Sequence, residues 1–456
     1  MIINYNAHKV FQFNDCKYLL VGKTGGLYEL DKQTAALIEK NGLEITTIKD
    51  EMIREFGSNA VDVEILLKEF REINLLGDER TDNVVEYSLD YIHGIEIMVC
   101  QGCNLACSYC YASEGEYNNP GNMSETIGRE AIDFLFLHTK SNIVNISFFG
   151  GEPLLNFALI KDLVEYADAL AIQYDKRVAY AVTTNGTLIT DAIADFLSKK
   201  NFYVSFSVDG TQAKHDFYRV DKRGTGSYLN AIRNLDLLPK EHMSLRATAT
   251  PLNCDYVEIS NALYHLVPTD FYIDEAMNCF KTKESLGNIK KAYDVLTEDF
   301  YRDLQRSDIK KCRANSKVYN ALKKVSRIGT YTNNVGCSAF INSLAVDIDG
   351  DLYPCHRFVG SSYVIGNVNR TKIDVKSAKQ AYATDFTIGR RIKCLECWAQ
   401  KFCSGGCPYL NYDKNGQCSK PNEEKCELNK YFYEKIIKLF LMLTKEEKVA
   451  LDIVKS

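Results

Sequence analysis

Three closely spaced cysteines constrain this chain more than any other feature. Cys103, Cys107 and Cys110 stand at C-x3-C-x2-C spacing, directly after residues 95–100, an apolar run that predicts a short buried strand. A loop that leaves the end of a strand is able to wrap its sulfurs around one metal centre. Three thiolates leave a four-iron cluster one ligand short, whereas electron-transfer clusters take four cysteines, so the spacing predicts an iron with an open position. Since Cys100 adds a fourth cysteine, a four-cysteine zinc site is the alternative.

Composition limits the class of protein. With 456 residues, 46% of them hydrophobic and 25% charged, the chain is long enough for two or three globular domains. We see no apolar run of the roughly 18 residues that a membrane span needs, and residues 1–6 do not resemble a signal peptide. We therefore expect a cytoplasmic protein with no membrane partner. A net charge of -5 gives no electrostatic basis for binding nucleic acid.

The 16 cysteines are the unusual part of the composition. Most fall into two groups, at residues 100–110 and 337–426. In a cytosolic protein such groups bind metal or carry out redox chemistry more often than they form disulfides. The sequence therefore predicts metal or cluster sites in both regions.

Residues 1–88 predict a small separate module. Two strands are predicted around a Gly-Gly turn, at residues 18–22 and 26–30. Three helices are predicted at residues 34–38, 47–56 and 61–75, and Asp31 is expected to cap the first of them. Strands with three helices suggest a winged helix. Ten Lys/Arg against 16 Asp/Glu over residues 1–88, a net charge of -6, oppose DNA binding. We prefer a module that binds a peptide as an added strand at an exposed sheet edge.

Strand-like runs alternate with helical ones from residue 89 to about residue 310. The predicted strands cover residues 95–100, 143–149, 178–183, 203–208 and 245–250. The predicted helices that follow them cover residues 124–140, 156–173, 191–199, 227–237 and 256–267. This alternation predicts parallel βα units and an α/β fold. Ligands of such folds bind at the carboxyl ends of the strands.

The cysteine loop, with Tyr109 before its last cysteine, resembles the signature of the radical S-adenosylmethionine (SAM) superfamily. Gly150, Gly151 and Glu152 follow the second strand and are similar to the glycine-rich SAM-binding motif of that family. Glycines let a backbone approach a ligand closely. The resemblance implies that the Glu152 carboxylate accepts a hydrogen bond from the methionine amino group of SAM.

Further positions resemble those that bind SAM in this family. The resemblance implies contacts to the methionine or ribose for Thr184 and Asn185, contacts to the ribose hydroxyls for Ser207 and Asp209, and a contact to the SAM carboxylate for Arg219. For Arg219 a surface salt bridge is the competing interpretation. For Asn185 it is a plain turn.

The second cysteine group resembles the SPASM extension, which binds two auxiliary four-iron clusters. The resemblance implies that the outer cluster is held by Cys394, Cys397, Cys403 and Cys426. It implies that the inner cluster is held by Cys337, Cys355 and Cys407. Cys418 is the alternative to Cys426 as the last ligand. A zinc ribbon explains four of these cysteines but not the others. The single Trp398 is expected to pack over a cluster.

One position departs from the SPASM pattern. Fully ligated relatives have another cysteine six positions before Cys337, where this chain has Tyr331. The inner cluster is therefore expected to have an open iron, unless Cys312 supplies the missing ligand. An open iron is able to bind a substrate thiolate.

Taken together, the resemblance implies three domains: residues 1–88, which recognise a precursor peptide; 89–310, a partial (β/α)6 TIM-like barrel; and 311–456, the SPASM domain with a C-terminal helix. This combination is similar to maturases of ribosomally made peptides, of the sactipeptide and ranthipeptide type, that form thioether cross-links through a 5′-deoxyadenosyl radical. The implied cofactors are three [4Fe-4S] clusters and SAM. The implied partners are a cysteine-containing precursor peptide and an external electron donor.

Several alternatives stay open. The same scaffold supports carbon–carbon cross-linking, epimerisation and the formation of formylglycine in sulfatases. A different class is a non-enzymatic metal-binding protein. No general base is assigned, because no carboxylate or histidine stands out by its spacing.

Overall fold

The computed structural model describes residues 2–57, 62–77, 92–267, 269–326, 337, 339–369, 377, 386 and 391–454. The chain divides into two compact units. One contains Met1–Glu86, Asn320–Gly336 and Thr384–Ser456, and the other contains Tyr87–Tyr319 and Cys337–Ala383. The N-terminal residues thus share a unit with the second half of the cysteine-rich region. Among the described residues, no helix is long and apolar enough to cross a membrane.

The N-terminal module is a three-stranded antiparallel sheet followed by three helices. Its elements are β1 (His8–Phe13), β2 (Cys16–Val21), β3 (Leu27–Leu30), α1 (Lys32–Glu39), α2 (Ile45–Phe56) and α3 (Val63–Glu72). The strands lie in the order β1-β2-β3. The predicted N-cap is confirmed, since the Asp31 carboxylate accepts a hydrogen bond from the Thr34 amide at 2.7 Å. The sequence did not predict β1, and the winged-helix assignment stays a prediction.

A run of parallel strands forms the centre of the other unit. The strands are β4 (Gly94–Gln101), β5 (Gly121–Asn122), β6 (Ile143–Gly150), β7 (Arg177–Thr184), β8 (Tyr203–Ser207), β9 (Met243–Ala249) and β10 (Phe271–Glu275). Apart from β5, which pairs antiparallel with the end of β4, each strand lies parallel to the next in chain order. The predicted parallel βα arrangement is confirmed.

Helices connect these strands and follow the last of them. They are α4 (Glu125–His138), α5 (Phe157–Gln173), α6 (Asp191–Lys199), α7 (Gln212–Tyr218), α8 (Tyr228–Arg233), α9 (Tyr256–Leu266), α10 (Lys283–Gln305), α11 (Ile309–Ala314) and α12 (Ser316–Ser326). The hydroxyls of Ser124 and Thr190 cap the first turns of α4 and α6. The apolar faces of the helices cover strands such as β6, whose alternate residues Val144, Ile146 and Phe148 are fully buried.

The sheet continues beyond β4 on its other side. There β11 (Ser343–Val346) pairs parallel with β4, and β12 (Asp351–Tyr353) and β13 (Gly366–Asn367) extend the sheet antiparallel. The remaining helices are α13 (Ile392–Leu395), α14 (Gln400–Cys403), α15 (Pro408–Asn415), α16 (Glu423–Met442) and α17 (Lys445–Ala450). Because β4 and its parallel neighbours run in one direction, their carboxyl ends meet at one edge of the sheet, where the predicted site residues follow.

Candidate functional site

The first cysteine loop is anchored on both sides. It begins where β4 ends, just after a register shift between Met98 and Cys100 in the pairing with β6. The amides of Ala106 and Ser108 donate to the carbonyls of Val220 and Tyr218, at 2.7 and 3.1 Å. A backbone held in this way fixes the direction in which the cysteine side chains leave the loop.

The three thiols of this loop influence one another. The pKa of the Cys103 thiol is raised to about 12, chiefly by burial, and the neighbouring Cys107 and Cys110 thiols contribute to this increase. Among the described residues, no three Cys, His, Asp or Glu side chains lie close enough to surround a single metal ion. A four-iron cluster binds each cysteine through a separate iron and does not need such close thiols. Grouped, half-buried thiols therefore fit a cluster, whose iron would offset the cost of their ionisation.

Gly150, which ends β6, and Gly151, which follows it, pack against the cysteine loop and the end of β4. Gly150 has a φ of 145°, and a Cβ on Gly151 would meet the carbonyl oxygens of Gly102 and Gly115 at 2.3 and 2.7 Å. The Glu152 amide donates to the Gly102 oxygen at 2.9 Å. Glycine is therefore required at Gly151 at least in part because the backbone of the cysteine loop lies against it.

Glu152 follows β6, and its fully buried carboxylate contacts the residues at the end of β7. It accepts hydrogen bonds from the Thr184 hydroxyl at 2.8 Å, the Asn185 amide at 2.7 Å and the Leu154 amide at 3.1 Å. Burial raises its pKa to about 7, although these bonds lower it. The Asn185 side chain in turn donates to Asn104 at 2.9 Å and to the Cys103 sulfur at 3.8 Å. Glu152 thereby links the end of β7 to the cysteine loop.

Asp209 forms a buried ion pair at the end of β8. One of its oxygens accepts from the Tyr109 hydroxyl at 2.5 Å and from Arg219 Nε at 2.9 Å, and the other accepts from the Thr248 amide at 2.8 Å. Arg219 also points a guanidinium nitrogen at the Cys107 sulfur, at 3.9 Å. Burial lowers the pKa of Arg219, but Asp209 and Tyr109 raise it well above its usual value. The surface salt bridge considered for Arg219 is wrong, because the pair is buried.

His215 supports this ion pair from behind. Its Nδ1 accepts from the Asp209 amide at 3.3 Å, and its Nε2 lies 2.9 Å from the Ser227 hydroxyl, which donates to the Arg219 carbonyl. Burial lowers the pKa of His215 to about 4, so the ring is neutral near pH 7. The remaining predicted residue, Ser207, ends β8 and is half-buried.

Four cysteines of the second group also come together. The thiols of Cys394 and Cys426 each interact with those of Cys397 and Cys403. These are the four residues expected to hold the outer cluster, and the choice of Cys426 over Cys418 as the last ligand stays a prediction. Cys418 is fully buried, and its neighbours include the buried guanidinium of Arg391. Asn429 adds a side-chain contact to the Cys403 sulfur at 3.2 Å.

The residues expected to hold the inner cluster are distributed over both units. Cys337 is exposed and Cys355 is half-buried in one unit, whereas Cys407 begins α15 in the other. Cys312 lies in α11 and donates to the Phe300 carbonyl at 3.6 Å. Tyr331 lies outside the described residues. The open iron therefore stays a prediction.

Tyr111, which follows the third cysteine of the loop, is not among the residues predicted from the sequence. Its hydroxyl interacts electrostatically with the thiols of both Cys110 and Cys355. Its ring centroid lies 6.3 Å from that of His356 and 4.9 Å from the Arg357 guanidinium carbon. The signal in the sequence was a tyrosine adjoining a cysteine, which has no meaning without the distant partner.

Models of two known protein families match parts of this chain. The model of the radical SAM superfamily matches residues 97–250, and that of the SPASM iron-sulfur cluster-binding domain matches residues 337–398. The first match contains the cysteine loop and every predicted SAM-binding residue. The second match contains Cys337, Cys355, Cys394 and Cys397.

Individual proteins are similar over different shares of the chain. The serine-type anaerobic sulfatase-maturating enzyme of Klebsiella aerogenes is 25% identical over 335 residues, which are 69% of this chain and 79% of that protein. The radical SAM cyclopropyl synthase TigE of Paramaledivibacter caminithermalis is 23% identical over 457 residues, 91% of this chain and 90% of its own.

Among solved structures, native anSMEcpe with bound AdoMet has the same kind of fold. It aligns with a TM-score of 0.63 at 19% identity and covers 77% of this chain and 100% of its own. The fold, the grouped thiols and the two family models agree: this protein carries a radical SAM domain and a SPASM iron–sulfur domain.

Proposed function

We propose that this protein is a radical SAM enzyme that modifies a ribosomally made precursor peptide and forms thioether bonds between cysteine sulfurs and carbon. The observation that carries the proposal is the arrangement at the carboxyl ends of β4, β6, β7 and β8. There the three-thiol loop, the Glu152 network and the Asp209–Arg219 pair contact one another. The Cys100 thiol lies in β4 and contacts the Gly102 carbonyl oxygen at 3.6 Å, so the loop itself offers three thiols and leaves one iron free for SAM.

In this proposal Cys103, Cys107 and Cys110 hold the first cluster, and SAM lies beside it. When bound, the cluster and SAM supply reductive cleavage of SAM to a 5′-deoxyadenosyl radical that removes a hydrogen atom from a carbon of the peptide. The predicted SAM-binding residues are Tyr109, Gly150, Gly151, Glu152, Thr184, Asn185, Ser207, Asp209 and Arg219.

The protein contacts divide these residues by role. The oxygens of Glu152 and Asp209 already accept hydrogen bonds from protein groups, so we assign both carboxylates to positioning. Glu152 orients Thr184 and Asn185, and Asp209 orients Tyr109 and Arg219. Half-buried Ser207, the last residue of β8, is assigned to a direct contact with SAM. The protein's own contribution is to fix the geometry of the site and to exclude water.

The second cysteine group would hold the auxiliary clusters. Cys394, Cys397, Cys403 and Cys426 are assigned to one, and Cys337, Cys355 and Cys407 to the other. Such clusters supply an acceptor for the surplus electron and, where an iron is open, a position for a substrate thiolate. The mutual interaction of the first four thiols supports that assignment.

The N-terminal module supports a peptide substrate. In the part of the chain that the structure describes, β3 pairs only with β2, and no strand covers its outer edge. Tyr28 and Glu29 on this strand are exposed, so a peptide strand is able to add there through main-chain hydrogen bonds. The similarity to TigE extends over 91% of the chain, whereas that to the Klebsiella aerogenes enzyme covers 69%.

The test is anaerobic reconstitution with iron and sulfide, followed by reduction with SAM and a cysteine-containing precursor peptide encoded nearby. We expect 5′-deoxyadenosine and a peptide that has lost two hydrogens per event, with its cysteines resistant to alkylation. Absence of 5′-deoxyadenosine from iron-loaded protein would refute the radical SAM assignment.

A second candidate is a different bond on the same peptide. The cyclopropyl synthase TigE matches nearly the whole chain, and closing a cyclopropane also removes two hydrogens. Alkylation separates the two, because cysteines stay reactive when the new bond joins carbon to carbon. Sulfatase peptides, offered in a parallel reaction, test the maturation activity named for the Klebsiella aerogenes relative.

A further inference from the structure

The N-terminal module packs against the segment that carries Cys397 and Trp398. Gly22 follows β2 and approaches this segment closely. A Cβ on Gly22 would meet the Trp398 Cα at 2.8 Å and the Cys397 carbonyl oxygen at 3.0 Å. The Gly22 amide donates to the Ala7 carbonyl at 2.7 Å. Because all of the opposing atoms belong to backbone, a side chain at this position would force the module away from the segment.

Lys9, in β1, makes a second contact with the same segment. Its Nζ lies 5.0 Å from the centroid of the Trp398 ring, within the range of a cation–π interaction. The same ammonium pairs with Glu434 of α16, and the two side chains are 30% and 27% exposed. Lys9 thus joins the module to Trp398 and to the helix that begins beside Cys426.

Cys397 belongs to the group of four interacting thiols. Its thiol lies near that of Cys403, and the Cys426 thiol interacts with both. Gly22 therefore packs on the backbone of Cys397, a member of this group of thiols. Lys9 in β1 and Gly22 after β2 thus both contact the segment that carries one member of this cysteine group.

We propose that the N-terminal module has a role beyond peptide binding: it forms one wall of the auxiliary-cluster site and shields the cluster from solvent and oxygen. This inference rests on the proposed assignment of Cys394, Cys397, Cys403 and Cys426 as ligands of one cluster. Exposure to solvent is one of the factors that set the behaviour of an iron–sulfur cluster. Two elements distant in sequence would then complete one site.

The test measures the release of iron to a ferrous chelator in air. The parent is the full-length chain with Cys103, Cys107 and Cys110 changed to alanine, which leaves only auxiliary iron. Lys9→Met and Gly22→Ala should each release this iron about fivefold faster than the parent, as expected for losing contacts of this kind. Lys17→Met is the matched control, because Lys17 is in the same module and pairs with Glu39 at 2.8 Å with both side chains largely exposed. It should release iron at the parental rate.

Trp398 supplies a second measurement, since it is the one tryptophan of the chain. Quenching of its fluorescence by acrylamide should increase in Lys9→Met and Gly22→Ala and stay unchanged in Lys17→Met. Faster quenching with parental iron release would overturn the proposal, and so would parental values of both.

The cluster assignment has its own control. Cys397→Ala in the same parent should lower the iron content. If it does not, the assignment of the ligands is wrong and the inference fails with it. If iron is lost from this variant but the wild-type protein forms no thioether in the activity assay, only the proposed reaction fails.

Discussion

An Asp209→Asn substitution removes the charge that balances Arg219 inside the protein. The Asp209 side chain is fully buried and that of Arg219 is 10% exposed. Removing one partner of a buried pair leaves an uncompensated charge and costs about 3–5 kcal/mol. The asparagine NH2 group would also face Tyr109 and Arg219, which are donors. We expect the free energy of unfolding to fall by about 4 kcal/mol, roughly a thousandfold in the unfolding constant.

Thermal unfolding of the iron-loaded proteins, followed by circular dichroism without oxygen, measures this loss. The Tm of Asp209→Asn should fall by about 10 °C. Asp195→Asn is the control, because its pair with Lys199 is exposed and is worth less than about 1 kcal/mol. An Asp209→Asn/Arg219→Met double variant should recover part of the loss, since no buried charge remains. A single variant that melts with the wild type, or a double variant no more stable than the single one, would refute the reasoning.

Three further perturbations test other parts of the site. Cys107→Ala should abolish 5′-deoxyadenosine formation, which chromatography of the reduced reaction detects; retained formation would remove this loop from the cluster assignment. Gly151→Ala should lower iron binding by the loop, because its Cβ would meet the Gly102 carbonyl at 2.3 Å, whereas Gly287→Ala in α10, with nothing within 4 Å, should not. Burial raises the pKa of Glu152 from 4.5 to about 7, so the folded state holds a proton that the unfolded chain loses, and stability should fall by about 3 kcal/mol as pH rises through this range. Denaturant unfolding at the two pH limits should show a flatter profile for Glu152→Gln, and an equal slope would contradict the assignment.

Local patterns predicted the elements that local forces determine. The predicted helix at residues 191–199 matches α6, and Asp31 caps α1 as expected, because caps and amphipathic spacing act within a few residues. Strands β11–β13 were missed because they depend on a distant partner: they extend the sheet from β4 across more than 200 residues of chain. β1 was also missed, although its partner β2 follows it directly. Strands of this kind are specified by the neighbour that pairs with them and only weakly by their own sequence.

The same difference separates the parts of the site. Spacing alone grouped Cys103, Cys107 and Cys110, because all three lie on one loop. It did not predict that Tyr109 donates to Asp209, 100 positions away, or that Thr184 donates to Glu152. The family resemblance pointed to Glu152 and Asp209 as residues near SAM. Their protein partners, which favour a positioning role, are visible only in three dimensions.

The glycine motif shows why the two kinds of information combine. A glycine in a sequence indicates that something approaches the backbone closely, without saying what approaches. At Gly151 the approaching atoms include the carbonyl oxygen of Gly102, one residue before the first cysteine. The end of β6 thus fixes the start of the cysteine loop, the end of β7 contacts Cys103 through Asn185, and the end of β8 holds Tyr109 through Asp209. Because parallel strands bring their carboxyl ends to one edge, three loops that are unrelated in sequence position one set of thiols, and a change in any of them should disturb iron binding without altering a cysteine.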